Sequence, residues 1–151
     1  MGKSIWRIAT GLALALAATV MYAVTVSEAT GKGAFLDEAG NVVSIQFKAS
    51  VDDLGNFYGE VQQTTKLPGT DLKWHGTVLC YAQLSEDTAV FGGIIDSSSD
   101  PSLVGQFFEV KVVDNAPDQY GYEISGREPD CENVSVRLET IIRGSIHVHP
   151  D

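Results

Sequence analysis

Leu72-Lys73-Trp74-His75-Gly76-Thr77-Val78-Leu79-Cys80-Tyr81-Ala82 puts Leu, Trp, Gly, Val, Cys and Ala at every second position. Lys73, His75 and Thr77 fall between them. A period of two belongs to a strand with one face buried and the other wet. The same period recurs on both sides of this segment. Upstream, Val43, Ile45, Phe47 and Ala49 alternate with Ser44, Gln46 and Lys48. Downstream, Phe108, Val110 and Val112 alternate with Glu109 and Lys111, and Tyr120, Tyr122 and Ile124 share one phase. Val134, Val136 and Leu138 predict a further strand before Ile146 and Val148.

Turn-forming clusters separate these runs: Glu38-Ala39-Gly40-Asn41, Asp52 to Asn56, Pro68-Gly69, Ser85-Glu86-Asp87, Ser97 to Pro101 and Asn115 to Asp118. Their spacing leaves room for strands and none for a long helix, and no 3.6-residue period is sustained after residue 30. The expected fold is all-β, with eight or nine antiparallel strands. A sheet of that size manages its open edges by closing into a β-barrel or by packing as a barrel-like sandwich. Gly76 and Gly92-Gly93 sit inside strand patterns and are expected to mark bulges or bends that let the sheet curl.

Cys80 and Cys131 are the only cysteines, 51 positions apart. In an exported chain they are expected to form one disulfide, which the chain-entropy account values at about 4 kcal/mol. On the period-two phase Cys80 shares the face of Leu72, Trp74 and Val78, which directs its sulfur into the core. Cys131 lies in the polar stretch ahead of Val134, and the bridge is expected to pin that loop across the end of the sheet.

Export is predicted by the N-terminus. Lys3 and Arg7 precede an apolar run from Ile8 to Val26, followed by Ser27-Glu28-Ala29. This is the layout of a secretory signal peptide over residues 1–29, helical in its apolar part, leaving a single domain over residues 30–151. At nineteen residues the run is also close to the roughly 20 that span a bilayer, so an uncleaved anchor is the alternative and the sole basis for membrane association. The expected location is extracellular or periplasmic. Residues 30–151 carry nineteen Asp and Glu against eight Lys and Arg. So acidic a surface repels phosphate backbones, and a nucleic-acid partner is not expected.

Three islands carry a resemblance. Asp87-Thr88-Ala89-Val90-Phe91-Gly92-Gly93 follows the Cys80 strand. Val112-Val113-Asp114-Asn115 is followed by Pro117 and Asp118, and the chain nears its end in Gly144-Ser145-Ile146-His147-Val148-His149. In order and spacing, with both cysteines in place, they resemble the small secreted β-domain called post-COAP-1 of bacterial and archaeal exported proteins. The resemblance spans about residues 33–149. It implies an exported β-domain and no particular reaction.

Candidate sites follow from side-chain chemistry. His147 and His149 stand two apart on a strand and face the same way, an arrangement that can chelate a transition metal, the more so if His75 approaches. Asp114, Asn115 and Asp118 make an oxygen-rich turn that offers part of a calcium shell, as does Asp52-Asp53. The alternative is that these are turn formers bonding their own backbone and exposed strand residues. Phe47, Trp74, Phe91, Phe108 and Tyr122 are candidates to line a ligand cavity, or else to fill the core. The interior of a small barrel does one or the other. Ser97-Ser98-Ser99-Asp100 lacks the surroundings of a nucleophile elbow and is expected to be a polar loop.

No nucleophile–base pair or cofactor fingerprint stands out. The expectation is an exported, non-catalytic module that binds a small ligand or a surface partner and needs no cofactor. The alternatives are a structural protein that self-assembles through strand edges as a homo-oligomer, and a barrel-mouth enzyme of the cyclase or hydrolase type.

Overall fold

The computed structural model describes residues 24–150; the predicted signal helix and most of the predicted signal segment lie outside them. Nine strands follow in chain order: β1 (Thr25–Leu36), β2 (Val42–Asp52), β3 (Phe57–Leu67), β4 (Thr70–Gln83), β5 (Thr88–Ser98), β6 (Phe107–Val113), β7 (Gln119–Ser125), β8 (Glu139–Thr140) and β9 (Arg143–His149). A single 3₁₀ turn, Pro101–Leu103, is capped by Asp100. Strand β1 starts ahead of the expected boundary after Ala29. Ser27 and Ala29 are buried in it, and Ala29 pairs with both Ala49 and Val148.

All pairings are antiparallel, and the sheet runs β8-β7-β6-β5-β4-β3-β2-β1-β9. This meander curls into a half-barrel whose ends approach each other without a continuous ladder. The curl brings Phe35 of β1 to within 5.6 Å of Tyr120 of β7, and Phe47 of β2 to within 5.2 Å of Phe91 of β5, between ring centroids. Glycines set the depth of that curl. A Cβ on Gly76 would fall 2.3 Å from the Phe108 ring, and one on Gly93 only 1.8 Å from the carbonyl oxygen of Thr77.

Two bulges in the β4–β5 pair shift the register in opposite senses. Asp96 is the extra residue on β5 and Leu79 the extra residue on β4. Bulges raise local twist and re-aim the side chains beyond them. The second one corrects the expected phase of Cys80. Trp74, Gly76 and Val78 face the core as the alternation predicts, but past Leu79 the phase inverts. Tyr81 becomes the buried residue and Cys80 turns outward.

The Cys80–Cys131 disulfide forms, with Cα atoms 6.1 Å apart. It pins the segment 126–138 as a strap over the outer face of β4 to β7, rather than across the end of the sheet. Pro129 lies over Gly92, Asp130 donates its amide to Glu109 at 3.2 Å, and the carbonyl of Arg137 covers Gly121. The strand expected over Val134–Leu138 is therefore part of the strap. Its alternation reflects an extended chain laid on the sheet, and only Glu139 and Thr140 join the ladder, pairing with Tyr120 and Gln119. A disulfide belongs to an oxidising, non-cytoplasmic compartment. Among the described residues no helix is long and apolar enough to cross a membrane.

The two ends of the sheet are joined by side chains. The β9 amides that point away from β1 meet the β6–β7 turn: Ile146 donates to Asp118 Oδ2 and Val148 to Asp114 Oδ2, each at 2.9 Å. Asp118 Oδ1 also accepts the amide of Asn115 at 2.9 Å. Two carboxylates thus do the work of a missing strand.

Candidate functional site

Among the described residues, the strap leaves the outer face of β9, β1, β2, β3 and the first half of β4 bare. Across it the antiparallel register lines up residues of the polar phase. One row runs Ser145, Lys32, Gln46, Gln62, His75, Ser97 over six strands. At the spacing of paired strands this is about 24 Å of surface. The row above runs Arg143, the buried Ala34, Ser44, Thr64, Lys73, and the row below His147, Thr30, Lys48, Glu60, Thr77. These rows exist because one face of each strand is buried, which forces every polar residue between buried neighbours to the same side.

Two adjoining recesses lie on this face. The first, about 580 Å³, spans β9 to β3 and is lined by Lys32, Ser44, Gln46, Gln62, Thr64, Arg143 and Ser145, with Gly33, Ile45 and Gly144 in its floor. The second, about 360 Å³, continues to β5 through Gln62, Thr64, Lys73, His75 and Ser97 to Ser99. Gly144 carries φ +95°, and a Cβ there would stand 2.0 Å from the carbonyl oxygen of Lys32. Only glycine lets β9 pass so close to β1 at this point.

His75 holds a polar cluster at the far end of the row. Its Nδ1 lies 2.6 Å from Asp96 Oδ1 and its Nε2 3.0 Å from Glu60 Oε2. Thr77 Oγ1 donates to Asp96 Oδ2 at 2.6 Å. The β5 bulge aims Asp96 at this position. The Asp96 hydrogen bond lifts the imidazole above its ordinary 6.5 against the opposing effect of burial, with Glu60 adding in the same direction. Asp96 is held below the ordinary carboxylate range: burial pushes it up, and the bonds from Thr77 and His75 outweigh that. The two carboxylates occupy opposite ring nitrogens, so one cation cannot be shared by all three groups. With both nitrogens engaged, the ring also lacks a free lone pair to act as a base.

The other predicted site residues fall as follows. His147 and His149 do share the exposed face of β9, with parallel rings 6.1 Å apart. His75 does not join them; β3, β2 and β1 stand between. Asp114 and Asp118 reach β9 from the opposite edge and engage backbone amides of Ile146 and Val148. Asp52 accepts from the amides of Leu54 and Asn56, from Asn56 Nδ2 and from Tyr58 Oη, the behaviour of a turn former. Among the described residues no three His, Cys, Asp or Glu side chains gather as a metal shell.

Phe47, Trp74, Phe91, Phe108 and Tyr122 do come together, and their rings touch. Trp74 lies 5.3 Å from Phe108 and 6.4 Å from Tyr122 by centroid. Tyr120 and Phe35 complete the cluster, and Tyr120 donates to the buried Gln63 at 3.3 Å. These rings fill the interior. Half-buried Tyr122 also borders a third recess of about 320 Å³ at the seam, beside Phe35 and Arg137. Ser97 and Ser98 belong to the end of β5, and Ser98 Oγ donates to the carbonyl of Lys73 at 2.9 Å.

Sequence reading missed Lys32, Arg143, Glu60 and Asp96 as site residues. Their only signal was membership of the polar phase, which is silent about register between strands. No family model, curated protein or solved structure matches this chain.

Proposed function

We propose that this protein is an exported, non-catalytic binding module that holds an extended, hydroxyl-rich chain, of the saccharide class, across the bare face of β9 to β5. The observation that carries this reading is the six-strand row of Ser, Lys, Gln, Gln, His and Ser running through two adjoining recesses. Hydroxyl and amide side chains both donate and accept, which matches the dual character of sugar hydroxyls. A ladder of such groups at regular strand spacing on a rigid sheet suits a ligand with a regular repeat. The net value of each hydrogen bond is about 0.5–1.5 kcal/mol, so four or five of them contribute about 2–7 kcal/mol, and with the cost of ordering the ligand subtracted the affinity is of order 10⁻³ M or weaker.

The aromatic interior is occupied by its own side chains, which argues against a ligand cavity lined by Phe47, Trp74, Phe91, Phe108 and Tyr122 and leaves the outside of the barrel as the ligand surface. Two features weigh against the alternatives. The edge amides of Ile146 and Val148 are already engaged, which opposes growth by strand addition. The His75 imidazole is committed to two carboxylates. Export into the extracellular or periplasmic space, and a resemblance to the post-COAP-1 type of domain, are part of this proposal and are compatible with the role.

Titration calorimetry with a panel of neutral and acidic oligosaccharides tests the reading. Binding at millimolar affinity that Gln46→Ala and Gln62→Ala each weaken severalfold supports it. No heat with any member at tens of millimolar concentration overturns it.

A further inference from the structure

The charge on this face runs against that of the protein. Residues 24–150 hold eight Lys and Arg, and the whole chain holds twenty Asp and Glu. Three of the eight are ion-paired among the described residues: Lys48 with Glu28, Lys66 with Asp71, and Arg137 with Glu38 and Glu139. Of the remaining five, Lys32 and Arg143 line the larger recess and Lys73 the adjoining one. Neither recess is lined by any carboxylate. In a chain with formal net charge −10, two cations without an ion pair among the described residues and five hydrogen-bonding side chains, around a hollow that no described carboxylate lines, form a local inversion of charge.

We infer that the recess between β9 and β3 receives the carboxylate of an acidic sugar, with Arg143 and Lys32 as its counter-charges and Ser44, Gln46, Thr64 and Ser145 bonding the ring hydroxyls around it. This rests on the saccharide reading above and narrows it to acidic polysaccharide. Guanidinium offers a planar fork that pairs with a carboxylate through two parallel hydrogen bonds, and lysine adds a point charge beside it. The remote acidic surface does not cancel this, because screening at physiological salt limits each charge to about 8 Å. An anion seated in the recess is governed by the groups that touch it. A polyphosphate chain offers no ring hydroxyls to Ser44, Gln46, Thr64 and Ser145, which favours the sugar.

Calorimetry on the folded protein, with a hexamer of galacturonate, a neutral hexamer of glucose and a single-stranded oligonucleotide at low and physiological salt, separates the outcomes. The expected result is acidic hexamer bound at least tenfold more tightly than neutral, with that preference falling as salt rises. Lys32→Gln and Arg143→Gln are each expected to cost about tenfold against the acidic hexamer and under twofold against the neutral one. Both residues are exposed, and an unchanged circular dichroism spectrum excludes misfolding. Equal binding of the two hexamers overturns this inference and leaves the saccharide reading standing. Binding of neither overturns both. Tighter binding of the oligonucleotide shows a nucleic-acid site and overturns the assignment to sugar.

Discussion

Removing the Asp118 carboxylate with Asp118→Ala tests how the half-barrel is held shut. Its Oδ2 accepts the Ile146 amide and its Oδ1 the Asn115 amide, both at 2.9 Å. The Ile146 bond joins elements 28 residues apart, whereas the Asn115 bond is local. A hydrogen bond to a charged acceptor contributes about 1.5–3 kcal/mol net, and an amide left without a partner costs more than one that finds water. Loss of about 2 kcal/mol is therefore expected, a large share of the 5–15 kcal/mol typical of a domain and about 6–10 °C in Tm. Asp118→Asn keeps an acceptor but loses the charge, and is expected to cost about half as much. Guanidinium unfolding gives the energy, and hydrogen exchange gives the location: the Ile146 amide should lose protection while amides of β3 and β4 change only with global stability. The freed β9 edge should also appear as concentration-dependent association on sizing. If the midpoint and the Ile146 exchange rate both stay at wild-type values, the latch does not close the barrel and the reasoning fails.

Three further outcomes are expected. Cys80→Ala with Cys131→Ala opens a loop of 51 residues. It should lower stability by about 4 kcal/mol, with protease cuts appearing first within residues 126–138. Gly121→Ala places a Cβ 2.3 Å from the Arg137 carbonyl oxygen. It should cost about 1–3 kcal/mol in a denaturant titration, since backbone on both sides prevents easy relief. His75→Gln should flatten the pH dependence of stability. The raised pKa of His75 makes its contribution complete below 6.5 and lost as pH climbs through the folded value, while the depressed pKa of Asp96 makes its contribution complete above 3.8 and lost as pH falls through the folded value. The gap between wild type and variant in thermal melts should thus be widest between those limits and shrink above pH 6.5. A gap that grows toward pH 9 would contradict the cluster as described.

The chain balances acid and base unevenly rather than uniformly. The net negative charge is typified by the strap, whose Glu128, Asp130 and Glu132 face solvent. The bare face departs from it because strand pairing collects Lys32, Lys73 and Arg143 from positions up to 111 residues apart. Total charge sets solubility and long-range steering, but contact recognition depends on which charges are neighbours.

By itself the sequence determined the all-β class, the strands β2, β4, β6, β7 and β9, the inward phase of Phe47, Trp74 and Phe108, and the pairing of the only two cysteines. Each of these is a local or countable property: a period of two needs only neighbouring residues, and two thiols allow one bridge. Tertiary structure decided the rest. The Leu79 bulge turned Cys80 outward, because one extra residue inverts every side chain beyond it. Val134 to Leu138 kept their alternation yet became a strap, since hydrogen-bond partners are not encoded in the pattern of one segment. Asp114 and Asp118 became a latch because the curl of the sheet carried β9 to them. The row from Ser145 to Ser97 arose from register, a relation between strands, and hydrophobic period fixes which face a residue takes but not which residue stands beside it.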